Sequence, residues 1–455
     1  MSLDDRAEEA VKKSLDYTEP TEDGIALAFA EKYNDELRYD HTVGKWFQWD
    51  GSRWKLEITQ LAFNYAREMC RGFRKQYQNN ALPKVRTAAA VEKFAQADRR
   101  FAVEHDIWDR DPWLLCTPGG TVELKTGILR ENYPSDNITK VCSITPAEMP
   151  TPLWDRFLYE CTKGDADLKR YLQQIAGYCL TGVTHEHALF FIYGLGCNGK
   201  SVFVNTLAAI LADYHVTANM DVFTHSKYDG HPTELARLHG ARMVTASETE
   251  EGRSWAESRI KQITGGDPIA ARYMRKDFFE YRPQFKLVFL GNHKPVLRNV
   301  DDAAKRRFNM IPFLNKPEAP DAELGEKLRP EYPGILKWVI DGCLDWQRNG
   351  LVKPEVVLQE TDSYFADQDI FSQWLDECTE KKHETTGETS ARLFERWSNW
   401  AIRQGEDPGT SKSFAERMNA AGYTPAKHTP GQRDKRGFKG ITLKLSGDVS
   451  TRYSD

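Results

Sequence analysis

The sequence predicts an α/β protein: a parallel sheet covered by helices, preceded by an α+β region and followed by a small C-terminal domain. Three observations predict it. Gly194-Leu195-Gly196-Cys197-Asn198-Gly199-Lys200-Ser201 fits the pattern G-x-x-x-x-G-K-[ST] at every fixed position. The segment stands between a short apolar run, Ala188 to Tyr193, and a stretch from Val202 to Leu211 with helical spacing and no Gly or Pro. From there to about Phe313, strand and helix patterns alternate, as in an open sheet with its ligand at the carboxyl edge.

Composition narrows the function classes. With 455 residues the chain has room for several domains, and 40% hydrophobic with 28% charged residues is an ordinary globular balance. No apolar run approaches the ~20 residues that span a bilayer, and no secretory leader opens the sequence. The expectation is therefore a cytoplasmic protein with no membrane partner. Eight cysteines are scattered without a C-x-x-C pair or zinc spacing, which points to reduced, buried thiols. Net charge is −5, so any nucleic-acid surface has to be a local patch.

In chain order, residues 1–20 are polar and charged and read as a flexible tail. Residues 21–150 read as an α+β domain. Ile25 to Ala30 looks helical, and Lys45 to Trp54 alternates around Asp50-Gly51 as a hairpin. Leu61 to Gln78 returns to helical spacing, with Arg67, Arg71, Arg74 and Lys75 on a basic face that reads as solvated more readily than DNA-bound. Asp111 to Leu124 reads as strand, turn and strand. Residues 151–185 form a helical subdomain broken near Gly164, and 186–315 the nucleotide core. A Pro- and Glu-rich stretch opens the helical connector 316–368. The end, 369–455, shows two helical stretches and a basic, Gly-rich hairpin signal closing at Gly440 to Leu445.

The chemistry follows from the loop. Backbone amides from Gly194, Gly196, Cys197, Asn198 and Gly199, with the amino end of the helix through Val202, can converge on phosphate oxygens. Lys200 would reach the β- and γ-phosphates of ATP, and Ser201 would ligate Mg²⁺. Hydrolysis also needs an acid, a water-positioning group and charge neutralisation. Ala241 to Glu250 reads as a strand running into acids, with Glu248 the first candidate for metal and water and Glu250 the second. Asn292, ending the apolar run from Phe285, can sense the γ-phosphate. Arg306 and Arg307, expected near the γ-phosphate edge, suit a finger reaching a neighbouring subunit's site, with one of the two in a structural ion pair. Thr264 to Phe279 reads as a hairpin carrying Arg272, Arg275 and Lys276 toward DNA phosphates.

Taken together, these segments resemble the superfamily 3 helicases, the helicase part of phage/plasmid and poxvirus-type primase-helicases. The resemblance rests on Asp40 to Trp54, Asp111 to Gly127, Ile175 to Gly182, the loop, the Ala-Ser-Glu-Thr-Glu acids, Gly-Gly-Asp before the hairpin, Gly-Asn-His-Lys-Pro and Arg-Arg-Phe. It implies an AAA+-like P-loop ATPase core and a winged-helix-type C-terminal domain with Lys435, Arg436 and Lys439 on DNA. It further implies a hexameric homo-oligomer moving 3′→5′ on single-stranded and forked DNA. One departure is that the chain starts almost at the post-primase segment, so priming is expected from a separate primase or polymerase. Open alternatives are a ring ATPase that remodels or loads on DNA, a scaffold with a degenerate site, and a P-loop kinase. The kinase accounts for neither the tandem arginines nor the basic hairpin.

Overall fold

The computed structural model describes residues 20–225, 232–247, 253–272, 278–297, 301–317, 319–431 and 435–444. The tail read over 1–20 therefore lies almost wholly outside the described residues. Helix α1 (Glu22–Tyr33) begins where the Thr21 hydroxyl accepts from the Gly24 amide at 3.0 Å. Strands β1 (Leu37–Asp40), β2 (Lys45–Trp49) and β3 (Trp54–Leu56) form an antiparallel ribbon. Asp50 makes the β2–β3 turn by accepting from the Ser52 and Arg53 amides, as its pairing with Gly51 predicts. Helices α2 (Leu61–Tyr77) and α3 (Val85–Ala97) follow, and β4 (Ala102–Val103) returns parallel to β1. Phe29, Leu37, Met69, Val91 and Phe101 close one core here.

Strands β5 (Leu114–Thr117), β6 (Gly120–Glu123) and β7 (Ile128–Arg130) make an antiparallel meander. Helices α4 (Pro152–Thr162) and α5 (Ala166–Leu180) are separated at Lys163 and Gly164, whose φ values of 53° and 74° end the first helix. Asp165 then caps the second, accepting from Asp167 and Leu168 amides at 3.0 Å.

The central layer contains β8 (Leu189–Tyr193), α6 (Lys200–Leu211), β9 (His215–Thr217), α7 (Pro232–Arg237), β10 (Met243–Ser247) and α8 (Glu257–Gly265). It continues through a hairpin of β11 (Ile269–Arg272) and β12 (Phe278–Tyr281), then β13 (Lys286–Gly291), α9 (Asp302–Arg307) and β14 (Phe308–Pro312). Five strands pair in parallel in the order β14-β8-β13-β10-β9. Burial on both faces explains why β8 and β13 read as continuous apolar runs rather than alternating ones. The chain leaves β8 for the far edge and later returns on both of its sides. The carboxyl end of β8 is thus a switch point, where open sheets bind ligands.

After β14, the stretch read as a connector holds a short helix α10 (Leu324–Lys327), then α11 (Tyr332–Asn349) and α12 (Glu355–Gln368). Helix α11 lies so close to α5 that a Cβ on Gly177 would sit 2.1 Å from the Cys343 amide nitrogen. One on Gly342 would sit 2.2 Å from the Gln173 carbonyl oxygen. Ile175, Val339, Phe190 and Phe203 share the resulting core with Leu115 and Val122 of the meander.

Two compact units result: Met1–Pro295 with Arg306–Glu360, and Val296–Lys305 with Thr361–Asp455. The second holds α13 (Ile370–Cys378), β15 (Thr379–Lys381), β16 (Gly387–Thr389), α14 (Ser390–Arg403), α15 (Ser411–Ala420), β17 (Pro425–Ala426), β18 (Gly437–Lys439) and β19 (Ile441–Leu443). Trp374, Trp397 and Phe414 fill its core. Three helices stand here instead of the two expected. The closing hairpin also differs: β18 pairs with β16 and β17, while β19 pairs with β15. Gly440, at φ 74°, redirects the chain between them.

Candidate functional site

The buried strand β8 delivers Gly194 to a place no other residue fits. A Cβ there would lie 2.0 Å from the Phe313 carbonyl oxygen and 2.2 Å from Asn198 Nδ2. Gly199, at φ 85°, caps α6, and a Cβ on it would press 2.8 Å from the Phe157 ring. The two fixed glycines of the pattern thus answer separate demands, close approach and left-handed backbone. Around Gly196 the space is open. Cys197 is exposed and also left-handed, φ 64°, which costs a side-chain-bearing residue about 1–2 kcal/mol.

Asn198 is 3% exposed and braces the loop from inside. Its Nδ2 donates to the Phe313 carbonyl, and its Oδ1 accepts from Lys200 Nζ at 3.0 Å. Lys200, 8% exposed, also donates to the Gly194 carbonyl at 2.5 Å and to Asn292 Oδ1 at 3.2 Å. None of these acceptors is charged, and burial pulls the ammonium below the usual lysine range. Ser201 and Val202 occupy the first turn of α6, the former exposed. The group fits a polyphosphate: a cation held by neutral oxygens, at the amino end of a 12-residue helix.

Strand register brings further candidates to this edge. Gly291 pairs with Tyr193, so Asn292 follows at the same level as Gly194. Ser247 pairs with Leu290, and the acids expected next, Glu248 and Glu250, lie outside the described residues. No cluster of His, Cys, Asp and Glu that could hold a metal occurs among the described residues. A cavity of about 490 Å³ opens beside the loop, walled by Phe157, Cys161, Val202, Pro317 and Leu324.

The tandem arginines stand elsewhere. Phe308 pairs with Leu189 in parallel, so Arg306 and Arg307 enter β14 at the amino end of the sheet. Gly194 is at the opposite end, roughly 20 Å away at about 3.3 Å per residue. Arg307 Nε donates to Thr264 Oγ1 at 3.1 Å, while Arg306 is exposed. On the β11–β12 hairpin, Arg272 stacks over the Phe278 ring at 4.7 Å, and Phe278 is 61% exposed. The tip residues Arg275 and Lys276 fall outside the described residues. In the second unit Lys435 and Arg436 are exposed between β17 and β18, and Lys439 is half-buried in β18.

Two contributors escape sequence reading. Phe313 acts through a backbone carbonyl, which no residue type signals. Lys294 lies 4.1 Å over the Tyr193 ring and pairs with Glu360 at 3.2 Å. The sequence holds it inside the Gly-Asn-His-Lys-Pro run, two residues after Asn292, but with no role assigned to it. Among the described residues, no helix is long and apolar enough to cross a membrane.

Comparison with known proteins gives two family matches. Residues 26–163 match the family described as D5 N terminal like, and residues 192–307 match DUF5906, a family of unknown function. The mimivirus protein L207/L206 (Acanthamoeba polyphaga mimivirus), provisionally named a helicase, is 26% identical over 319 residues, 64% of this chain and 33% of that protein. Primase D5 of fowlpox virus is 25% identical over 158 residues, 33% of this chain and 20% of that protein. The chain thus spans a third or less of the length of these relatives. A solved apo structure of the NrS-1 C terminal region overlaps 89% of this chain and 95% of that one at 12% identity and a TM-score of 0.48, a score too low to weigh on the fold.

Proposed function

From the kinship of this D5_N- and DUF5906-containing chain with the D5-type primase-helicases of poxviruses and the helicase and primase proteins of iridoviruses and African swine fever virus, we propose that it is an ATP-hydrolysing DNA helicase motor. The observation that carries the reading is the Lys200 constellation at the switch point of the sheet. Here Lys200 and the loop amides would bind the β- and γ-phosphates, and Ser201, with Glu248, would hold Mg²⁺. Bound Mg²⁺ supplies charge neutralisation to the phosphates. Asn292, already on the Lys200 ammonium, is positioned to trade that contact for the γ-phosphate or the attacking water. Glu250 is the alternative acid. The apolar cavity beside Cys197 to Gly199 suits a nucleobase.

Arg306 and Arg307 stand too far from their own loop to serve it, which favours action on a neighbouring copy and so a ring, in the hexameric form of superfamily 3. The β11–β12 hairpin, with Arg272, Arg275 and Lys276, would grip a single strand in the channel and move 3′→5′. The exposed Phe278 offers a base-stacking surface there. A winged-helix reading of the second unit is favoured by its order of helix α13, strand β16, helices α14 and α15, then β17 and β18 around the basic stretch with Lys435 and Arg436. Priming would come from another protein or another part of a longer one.

The test is strand displacement on a forked duplex with ATP. The expected result is ATP-dependent release of the displaced strand, abolished in Lys200→Ala. DNA-stimulated hydrolysis without displacement would favour a remodelling or loading ATPase instead; no DNA-stimulated hydrolysis would remove the motor.

A further inference from the structure

A second feature, far in sequence from the loop, points to nucleic acid on independent grounds. Between Leu61 and Val91 the sequence holds six Lys and Arg against one acid, in a chain whose net charge is −5. On α2, Arg67, Arg71 and Lys75 recur every fourth residue, so they line one stripe at about 6 Å intervals, with Arg74 at its edge. All four are exposed. Two of them bond to amides rather than carboxylates: Arg67 donates to Asn64 Oδ1 at 3.4 Å and Arg74 to Asn80 Oδ1 at 3.0 Å. The sole acid of the stretch, Glu68, accepts from the Asn64 amide instead. Elsewhere in this unit arginines are commonly paired with acids, as Arg53 with Asp213, Arg130 with Asp136 and Arg170 with Asp345.

Gly72 adds a separate observation. It sits within the stripe, in the interior of a helix where Gly is a poor former, and nothing lies within 4 Å of where its Cβ would be. Among the described residues no packing demand accounts for it. A gap of this kind lets a partner's backbone approach the helix between Arg71 and Lys75.

We propose that the stripe Arg67, Arg71, Arg74 and Lys75 is a binding site for the phosphate backbone of duplex DNA. The cations, their spacing and the gap at Gly72 fit phosphates. Duplex is favoured over single strand because the aromatic side chains of α2, Phe63, Tyr65, Phe73 and Tyr77, are all buried or half-buried. A single strand is held largely by base stacking, for which α2 offers no exposed ring. The contact reads charge and not sequence.

The test uses the full chain without nucleotide, so it stands or falls apart from the motor reading. Affinity for a labelled blunt duplex is measured by fluorescence anisotropy across a salt series. The substitutions Arg67→Gln/Arg71→Gln/Lys75→Gln keep helix-forming side chains and exposed positions. They are expected to reduce the slope of log affinity against log salt by about 2.7, at about 0.9 per lost phosphate contact. Arg67→Lys/Arg71→Lys is expected to retain most of the slope, which separates charge from folding. An unchanged slope overturns the proposal. So does a loss confined to single strands, or a loss confined to an acidic peptide such as polyglutamate. Basal ATP turnover is expected to stay at the wild-type level in every variant.

Discussion

At the residue scale, the loop is a balance between a buried cation and the oxygens that hold it. Lys200→Ala removes the ammonium and leaves Asn198 and Asn292 facing one another. ATP turnover is expected to fall at least a hundredfold, as measured by phosphate release, in line with the loss of one transition-state charge contact. Asn198→Ala should cost nearly as much, because the Phe313 carbonyl and Lys200 lose their brace together. The cysteines give a second test. Burial pushes the Cys70 thiol up to about 11 and those of Cys116, Cys161, Cys179 and Cys343 to about 12, whereas Cys197 is exposed in the loop. Iodoacetamide under native conditions is expected to label Cys197 first by mass spectrometry, with loss of turnover, and ATP should slow it; labelling spread evenly over the chain contradicts the placement. Gly194, Gly199 and Lys200 were legible in the sequence because their residue types encode close approach, left-handed backbone and charge. Asn198 occupies a variable position of the pattern, so its bracing of Lys200 emerges only from the folded loop.

At the scale of elements, two contacts decide how the first unit holds together. Helices α5 and α11 meet at Gly177 and Gly342, where added carbon would overlap backbone atoms. Gly177→Val should destabilise the unit by about 3 kcal/mol or more, visible as a lowered urea midpoint, because overpacking against backbone cannot relax cheaply. Near the amino end, His105 Nδ1 donates to the fully buried Asp40 carboxylate at 2.7 Å, and Trp108 Nε1 donates to the same oxygen at 3.0 Å. Burial alone would raise the Asp40 pKa, but bonds from His105, the Val43 amide and Trp108 outweigh it and hold it low; the same bond to Asp40 raises that of His105. The histidine's contribution is complete below about pH 6.5 and fades as pH rises through its raised value; the carboxylate's is complete above about pH 3.9 and fades as pH falls through its lowered value. Protection of β1 amides from hydrogen exchange should therefore weaken as pH rises above about 6.5 through the raised His105 value, and His105→Ala should flatten that change. Most elements were legible because their signals are local: the Asp50 turn, the stop at Gly164, the apolar β8. The ending was misread because pairing of β19 with β15 is a long-range choice, made at Gly440 by a backbone angle rather than by a pattern of side chains.

At the scale of the whole molecule, the two ends of the sheet carry different charged groups. One end carries Gly194, Lys200 and Asn292; the other carries Arg306 and Arg307, with Arg307 tied to Thr264. Sequence order suggested an arginine finger near the γ-phosphate edge of its own sheet; the parallel register of β14 with β8 puts both arginines at the opposite end. On the proposed reading, the arginines of a second copy would supply the charge that the loop end of the sheet lacks. The most direct measurement is ATP hydrolysis by mixed subunits. Arg306→Ala/Arg307→Ala protein and Lys200→Ala protein should each be inactive alone, and mixing them should restore a measurable fraction of turnover, since some interfaces then join an intact loop to intact arginines. A mixture as inactive as its parts, from subunits that demonstrably co-assemble, would contradict the shared site.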